Sequence, residues 1–221
     1  MKYSDFVNLL YNKSEESFAS FQSRLIPTQQ KIIGVRTPIM RKMAKEYAKD
    51  RDSILAFPDD FFEVTFIKLA IVSAQPYEFF KKTVEDCVKR IDNWATCDCF
   101  KAKCIKNHKQ DFLETLKKIF LHGGEFYERY VLVTLLNYYV EDGFLTLIEE
   151  FLIKADTTLY YVHMAVAWLT AEICIKNYGY GLSILQKELL DKKTHNKAVQ
   201  KAIESYRLTA EQKAQLRAFK R

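Results

Sequence analysis

The sequence predicts an all-α protein, and within that class a curved α-solenoid of HEAT-like helical pairs, roughly a dozen helices in all. Three observations carry this prediction. Apolar residues recur at helical spacing almost everywhere: Phe126, Tyr130 and Val133 share one stripe with Asn137, and Val131, Leu135 and Leu136 form the neighbouring one. No segment holds a clean period-2 alternation bounded by turn residues. Helices expected to begin near Trp94, Glu125 and Thr158 lie about 35 residues apart, each preceded by a shorter partner, which is the period of stacked helical pairs. Such a stack curves, and the second helix of each pair lines its concave face.

The elements follow in chain order from their punctuation. Thr37-Pro38 reads as a helix start, Thr as N-cap and Pro in the first turn, opening a run to about Lys49. Phe57-Pro58-Asp59-Asp60 opens another, with carboxylates at the positive end of the helix dipole. Asp92 and Asn93 are N-cap candidates for a helix through Trp94 and Asp98. Further breaks fall at Gln75-Pro76, Asn107-His108, His122-Gly123-Gly124, Asp142-Gly143, Asp156-Thr157-Thr158 and Tyr178-Gly179-Tyr180-Gly181. Every break is short and none is a Ser/Gly linker, so one domain over residues 1–221 is expected.

Composition bounds the function classes. With 48% hydrophobic residues in 221, the chain can bury a core without disulfide or metal staples. Five Cys is an odd number, and Met1 to Leu10 carries Lys2 and Asp5 with no apolar run long enough for a signal peptide, so a reducing, cytoplasmic location is expected. No stretch approaches the roughly 20 apolar residues of a membrane span. The net charge of +6 is unevenly distributed. Residues 1–80 hold 11 Lys+Arg against 10 Asp+Glu, residues 81–118 hold 10 against 6, residues 119–176 hold 3 against 8, and residues 177–221 hold 10 against 4. Two basic blocks around an acidic one offer a polyanion a sided surface, or supply solubility and a basic tail. On the first reading, 81–118 and the C-terminal helices form two basic walls of one groove, while 119–176 faces outward and leaves Arg129 pointing in.

Several constellations carry chemistry. Trp94 and Asp98 stand at i and i+4 on one helical face with Lys101 a turn further on, an unusual pairing of indole and carboxylate whose plainer reading is a core Trp next to an Asp that pairs with a lysine or caps a neighbouring helix. Trp168 sits mid-helix between small residues, Ala165 and Ala167, where another backbone could approach. Arg129, one of three cations between 119 and 176, either pairs with Glu125 or Glu128 or is aimed at an anion. A metal site is not expected: Cys97, Cys104 and His108 share a stripe, but seven residues of helix separate the two thiols by about 10 Å, too far for one Zn²⁺. There is no Walker loop, GxGxxG or Cys/His nucleophile arrangement, so no nucleotide or other cofactor is expected.

Gly34-Val35-Arg36-Thr37-Pro38-Ile39-Met40-Arg41-Lys42-Met43-Ala44-Lys45, Trp94-Ala95-Thr96-Cys97-Asp98, Tyr127-Glu128-Arg129-Tyr130 and Ala165-Val166-Ala167-Trp168 together resemble the AlkD-like DNA alkylation repair family, in order, over about residues 20 to 207. The resemblance implies a HEAT-like superhelix that binds duplex DNA in its concave face and, in active members, a glycosylase for cationic N3- and N7-alkylated purines. It implies Trp94 and Trp168 as the aromatics flanking the lesion nucleotide, Asp98 as the essential carboxylate, and Arg129 as a DNA-backbone contact. Groove cations would be Arg36, Arg41, Lys101 and Lys103, followed by Lys197, Lys201 and Arg207, each otherwise a solvated helix face. Active members often carry an Arg three residues after the second Trp and a Lys four before it, where this chain has Ala171 and Met164. They also bring an aromatic from the N-terminal helical pair, for which Phe21 is the candidate. The expected partner is double-stranded DNA, alkylated or branched, bound by a monomer. The alternatives are a non-catalytic module that binds bent or branched DNA by shape, and a HEAT-type protein scaffold.

Overall fold

The structure, a computed structural model, describes residues 1–221. Helix accounts for 72% of the residues and no strand forms. The helices gather into two compact units, Met1–His108 and Lys109–Arg221. No helix is long and apolar enough to cross a membrane.

The N-terminal unit comprises α1 (Tyr3–Tyr11), α2 (Glu16–Leu25), α3 (Thr37–Glu46), α4 (Arg51–Leu55), α5 (Phe62–Ser73), α6 (Tyr77–Val88) and α7 (Trp94–Cys99), with 3-10 turns at Ala48–Asp50 and Lys103–Asn107. Helix α5 is its axis: ten of its twelve residues are buried, and α3, α4, α6 and α7 all pack on it. Phe6, Leu10, Val35, Met40, Ile54 and Ile67 are fully buried around it, each such side chain contributing about 1.5–3 kcal/mol by leaving water. The loop of residues 26–36 has no helix of its own and is held by carboxylates. Glu63, fully buried on α5, accepts the backbone N–H groups of Ile33, Gly34 and Val35 at 3.0, 2.7 and 3.3 Å. Asp92 accepts the Thr28 hydroxyl at 2.6 Å and the Gln29 N–H at 2.9 Å.

The C-terminal unit comprises α8 (Lys109–Leu121), α9 (Glu125–Tyr138), α10 (Leu145–Lys154), α11 (Tyr160–Lys176), α12 (Tyr178–Gln186), α13 (Lys192–Glu204) and α14 (Ala210–Arg217), with a 3-10 turn at Asp142–Phe144. Here the expected pairing is explicit. Helices α9, α11 and α13 pack side by side as one row, and each follows a shorter partner: α8, α10 and α12 have 13, 10 and 9 residues against 14, 17 and 13. Helix α11 is buried on nearly every side, and its half-exposed positions, Tyr161, Met164, Trp168 and Ile175, fall on one strip at i, i+3 and i+7 spacing.

Three local expectations are corrected. The N-cap of α3 is Arg36, so Thr37 already lies inside the helix and Pro38 stands in its first turn. Tyr178 to Gly181 is no break: the chain turns at Asn177, and the glycines lie within α12, where a Cβ on Gly181 would come 2.5 Å from the Cys174 Cα of α11. Helix α7 stops at Cys99, because Phe100 leaves the helical conformation (ψ 76°) to bury its ring against Phe80, centroids 5.7 Å apart. Lys101 therefore lies beyond the helix instead of one turn further along it.

Candidate nucleic-acid interface

In the N-terminal unit the site is built on α7. Asn93 caps it, its side-chain oxygen accepting the Thr96 N–H at 2.9 Å. The Trp94 indole N–H donates to the Leu25 carbonyl at 3.1 Å, tying the start of α7 to the end of α2, and the ring packs half-buried on the core. Asp98, also half-buried, shares that side of the helix. The pair expected at i and i+4 is thus a local fact of α7. Phe21 and Leu25, one turn apart on α2, are each 51% exposed, and Phe21 lies stacked with Phe18, centroids 6.3 Å apart.

Helix α7 has a second working side. Thr96 and Cys99 help to line a cleft of about 960 Å³ closed by α3, α5 and the turn after α7. At about 100° per residue they point roughly 150° away from Trp94 and Asp98. Arg41, Lys45, Lys101 and Lys103 stand around this cleft and no carboxylate lines it. Sequence reasoning named three of these cations and missed Lys45, whose i+4 spacing from Arg41 on one helix was the available signal. Arg36 is differently placed: its guanidinium is forked on Glu15 through two 2.7 Å bonds and lies over the Phe18 ring, 4.7 Å from its centroid. These bonds lower the Glu15 pKa and raise that of Arg36.

In the C-terminal unit, the first turn of α9 grips the chain that enters α11. Glu128 accepts the Asp156 N–H at 2.8 Å, and burial raises its carboxyl pKa. Glu125 accepts the Tyr161 N–H at 2.7 Å. Arg129, only 6% exposed, donates to the Tyr161 carbonyl at 2.8 Å with its guanidinium 5.6 Å from the centre of that ring, and Phe126 packs against the same ring. Both carboxylates considered as partners for Arg129 therefore serve backbone N–H groups. Trp168 lies on the half-exposed strip of α11 with Met164 one turn before it, while Ala171 is buried.

Lys193, Lys197 and Lys201 follow one another at i+4 along α13. Their stripe lies close enough to α11 to act on His163, whose pKa is lowered by burial and then by these charges, with Asp191 opposing. Arg207 is forked on the buried Glu172 at 3.0 and 2.5 Å, a contact that raises its pKa. The predicted cations thus fall into several kinds: Arg41, Lys101, Lys103 and Lys197 are without a carboxylate partner, Arg36 and Arg207 are forked on one, Arg129 is buried against Tyr161, and Lys201 is half-exposed on α13.

A family model described as DNA alkylation repair enzyme matches residues 7–206, which takes in most of both units and every residue named in this site except Arg207. A search of curated proteins returned no match.

Proposed function

The chain belongs to the DNA alkylation repair enzyme family, and within it we propose a glycosylase that removes cationic N3- and N7-alkylated purines from duplex DNA. The observation that carries this reading is the half-exposed Trp94 and Asp98 on one side of a capped helix, an aromatic face and a carboxylate offered together. An alkylated purine is already positive, so its C1′–N bond breaks with the electron pair moving onto the base, neutralising it, and no general acid is required. What remains is a sugar with oxocarbenium character that must be stabilised and hydrated. Asp98 supplies the opposing charge and accepts a hydrogen bond from the attacking water, whose oxygen bonds to C1′ as its proton passes to the Asp98 carboxylate and from there to solvent. Trp94 and Trp168 offer ring faces to the developing cation, each worth on the order of 0.5 to 2 kcal/mol.

Phosphate contacts fall to Arg41, Lys101, Lys103, Lys197 and Lys201, each exposed or half-exposed in its unit. Arg36 and Arg207 add to the basic field while holding Glu15 and Glu172. Arg129 acts through Tyr161, fixing the start of the helix that carries Trp168, as well as through any phosphate within its reach.

The test is release of free base from a duplex containing N7-methylguanine. Wild type should release it, and Asp98→Asn should lower the single-turnover rate by about 100-fold or more while changing duplex affinity little. Equal release by the two proteins would sink the mechanism. A second reading is favoured by one observation: the positions where active members carry Lys and Arg are here Met164, on the Trp168 strip, and Ala171, buried. On that reading the chain is a non-catalytic module for bent or branched DNA, and tighter binding to a four-way junction than to duplex, unchanged by Asp98→Asn and without base release, is its signature. Both readings require affinity to fall steeply with salt, because phosphate neutralisation releases counterions; salt-independent association would point to a protein scaffold.

A further inference from the structure

We infer that the basic cleft of the N-terminal unit holds a short unpaired strand at the edge of the bound duplex, making the preferred substrate DNA with a single-stranded tail or gap. The inference rests on the DNA-binding reading above and narrows its substrate class. Its starting point is the pairing pattern of the cations. Several basic side chains of this unit hold partners: Arg36 holds Glu15, Lys68 and Arg90 hold Asp59, and Arg51 holds Gln75. Arg41, Lys45, Lys101 and Lys103 are exposed, make no ion pair, and together face a cleft with no acidic lining, a concentration of positive charge that favours a polyanionic ligand.

Size and lining then select the ligand. A volume of about 960 Å³ lies at the upper end of the range, roughly 300–1,000 Å³, that holds one drug-sized molecule, so a few nucleotides fit and a duplex can only lie across the mouth. The floor is apolar, built from Ala44, Leu69, Ala70 and Pro76, which suits the faces of unstacked bases and offers nothing to paired ones. The cations are spread to match. Arg41 and Lys45 stand about 6 Å apart along α3, and Lys101 and Lys103 follow on the other side, an arrangement that meets successive phosphates of one strand better than a single anion. Thr96 and Cys99 place the cleft on the reverse of the helix that carries Trp94 and Asp98, so a strand seated there and a lesion at Asp98 would be read by two sides of the same element.

The experiment compares a blunt duplex with the same duplex carrying a three-nucleotide 3′ or 5′ tail, by fluorescence anisotropy over a salt series. A tail should tighten binding at least five-fold and steepen the dependence of log K on log salt by about 0.7 for each phosphate engaged. In Lys45→Gln/Lys103→Gln the ratio of tailed to blunt affinity should return to about one. A second readout is local: the tail, and not blunt duplex, should slow alkylation of Cys99 and Cys104 by N-ethylmaleimide, with the buried Cys87, Cys97 and Cys174 as internal references. If blunt duplex binds and a tail of either polarity adds no affinity and no thiol protection, the inference is overturned and the DNA-binding reading stands. If neither DNA binds, both fall together.

Discussion

The N-terminal unit carries its candidate residues, Trp94 and Asp98, on a helix of six residues, and the C-terminal unit carries Trp168 on one of seventeen. The two are held by different physics. A six-residue helix cannot persist on its own hydrogen bonds, because nucleation costs more than so few bonds return. Helix α7 is instead fixed by its Asn93 cap, by the Trp94 bond to Leu25, and by a neighbouring loop that Glu63 and Asp92 hold through backbone N–H groups. Helix α11 is tied at its entry by Glu125, Glu128 and Arg129, but its body lies between α9 and α13 with α12 across it and is buried along almost its whole length. Helix α7 therefore depends on polar contacts throughout, and α11 on them only at its start, with apolar packing shared among many residues beyond it.

The largest effect should come from Glu63→Gln. The carboxylate is fully buried and accepts three consecutive N–H groups, and an amide of the same shape can satisfy only part of that set while turning its own donors toward them. A loss of about 3–5 kcal/mol is expected, a large share of the roughly 5–15 kcal/mol typical of whole domains. Hydrogen-exchange mass spectrometry should place the loss of protection in residues 26–36 and 94–99 and leave α11 much less affected. Equal loss in both units would break the contrast drawn here.

A matched pair of glycines sharpens it. Gly34 has a φ of +97° and is pressed on α2, where a Cβ would lie 2.6 Å from the Glu15 carbonyl oxygen and 2.7 Å from the Ala19 Cβ. Gly181 has helical geometry, and its added Cβ would meet α11 backbone at 2.5 Å. Gly34→Ala thus incurs both a clash and a left-handed backbone, whereas Gly181→Ala incurs the clash and regains about 1 kcal/mol of helix propensity. Urea denaturation should show Gly34→Ala as the costlier, by about 1–2 kcal/mol. The reverse order would mean that α12 cannot slide off α11, and that the C-terminal unit is the more rigid of the two at its contacts.

The same contrast explains what the sequence could reveal. Helical period, most of the breaks and the pairing of helices from α8 to α13 were legible because each depends on residues within a few turns of one another, whereas the six-residue helix at Trp94 follows the longer α6 and not the shorter partner expected. The Trp94 and Asp98 pair and the Asn93 cap were legible for the same reason. Contacts closed over long separations were not. Nothing in the apolar run Phe61 to Leu69 distinguishes a buried Glu63 from a solvent-facing one, and the bond between Arg129 and Tyr161 spans 32 residues. The end of α7 was misplaced because Phe100 reads as a continuing helical residue until Phe80 is known to receive its ring. Gly181 was misread for a related reason: a glycine that lets two helices touch has the same local signature as one that breaks a helix.

The smallest effect is a pH dependence that should also divide the units. In the C-terminal unit His163 is buried with Nδ1 2.7 Å from the Thr194 hydroxyl, and burial together with Lys193, Lys197 and Lys201 lowers its pKa below the ordinary 6.5. The unfolded chain then takes up a proton before the folded one does, so the stabilising difference is complete above about pH 6.5 and is lost as pH falls from there through the depressed folded value. In the N-terminal unit the corresponding group is Asp59. Burial opposes its ionisation, yet hydrogen bonds from Lys68 and Arg90 outweigh burial and hold its pKa below the ordinary 3.8, so its contribution persists until pH falls beneath that value. Between pH 7 and 5, exchange protection should therefore decline in residues 109–221 and hold in residues 1–108, and His163→Gln, which keeps a neutral partner for Thr194, should flatten that decline. A decline that survives His163→Gln would mean that the acid sensitivity of this unit does not lie at His163 and its contact with Thr194.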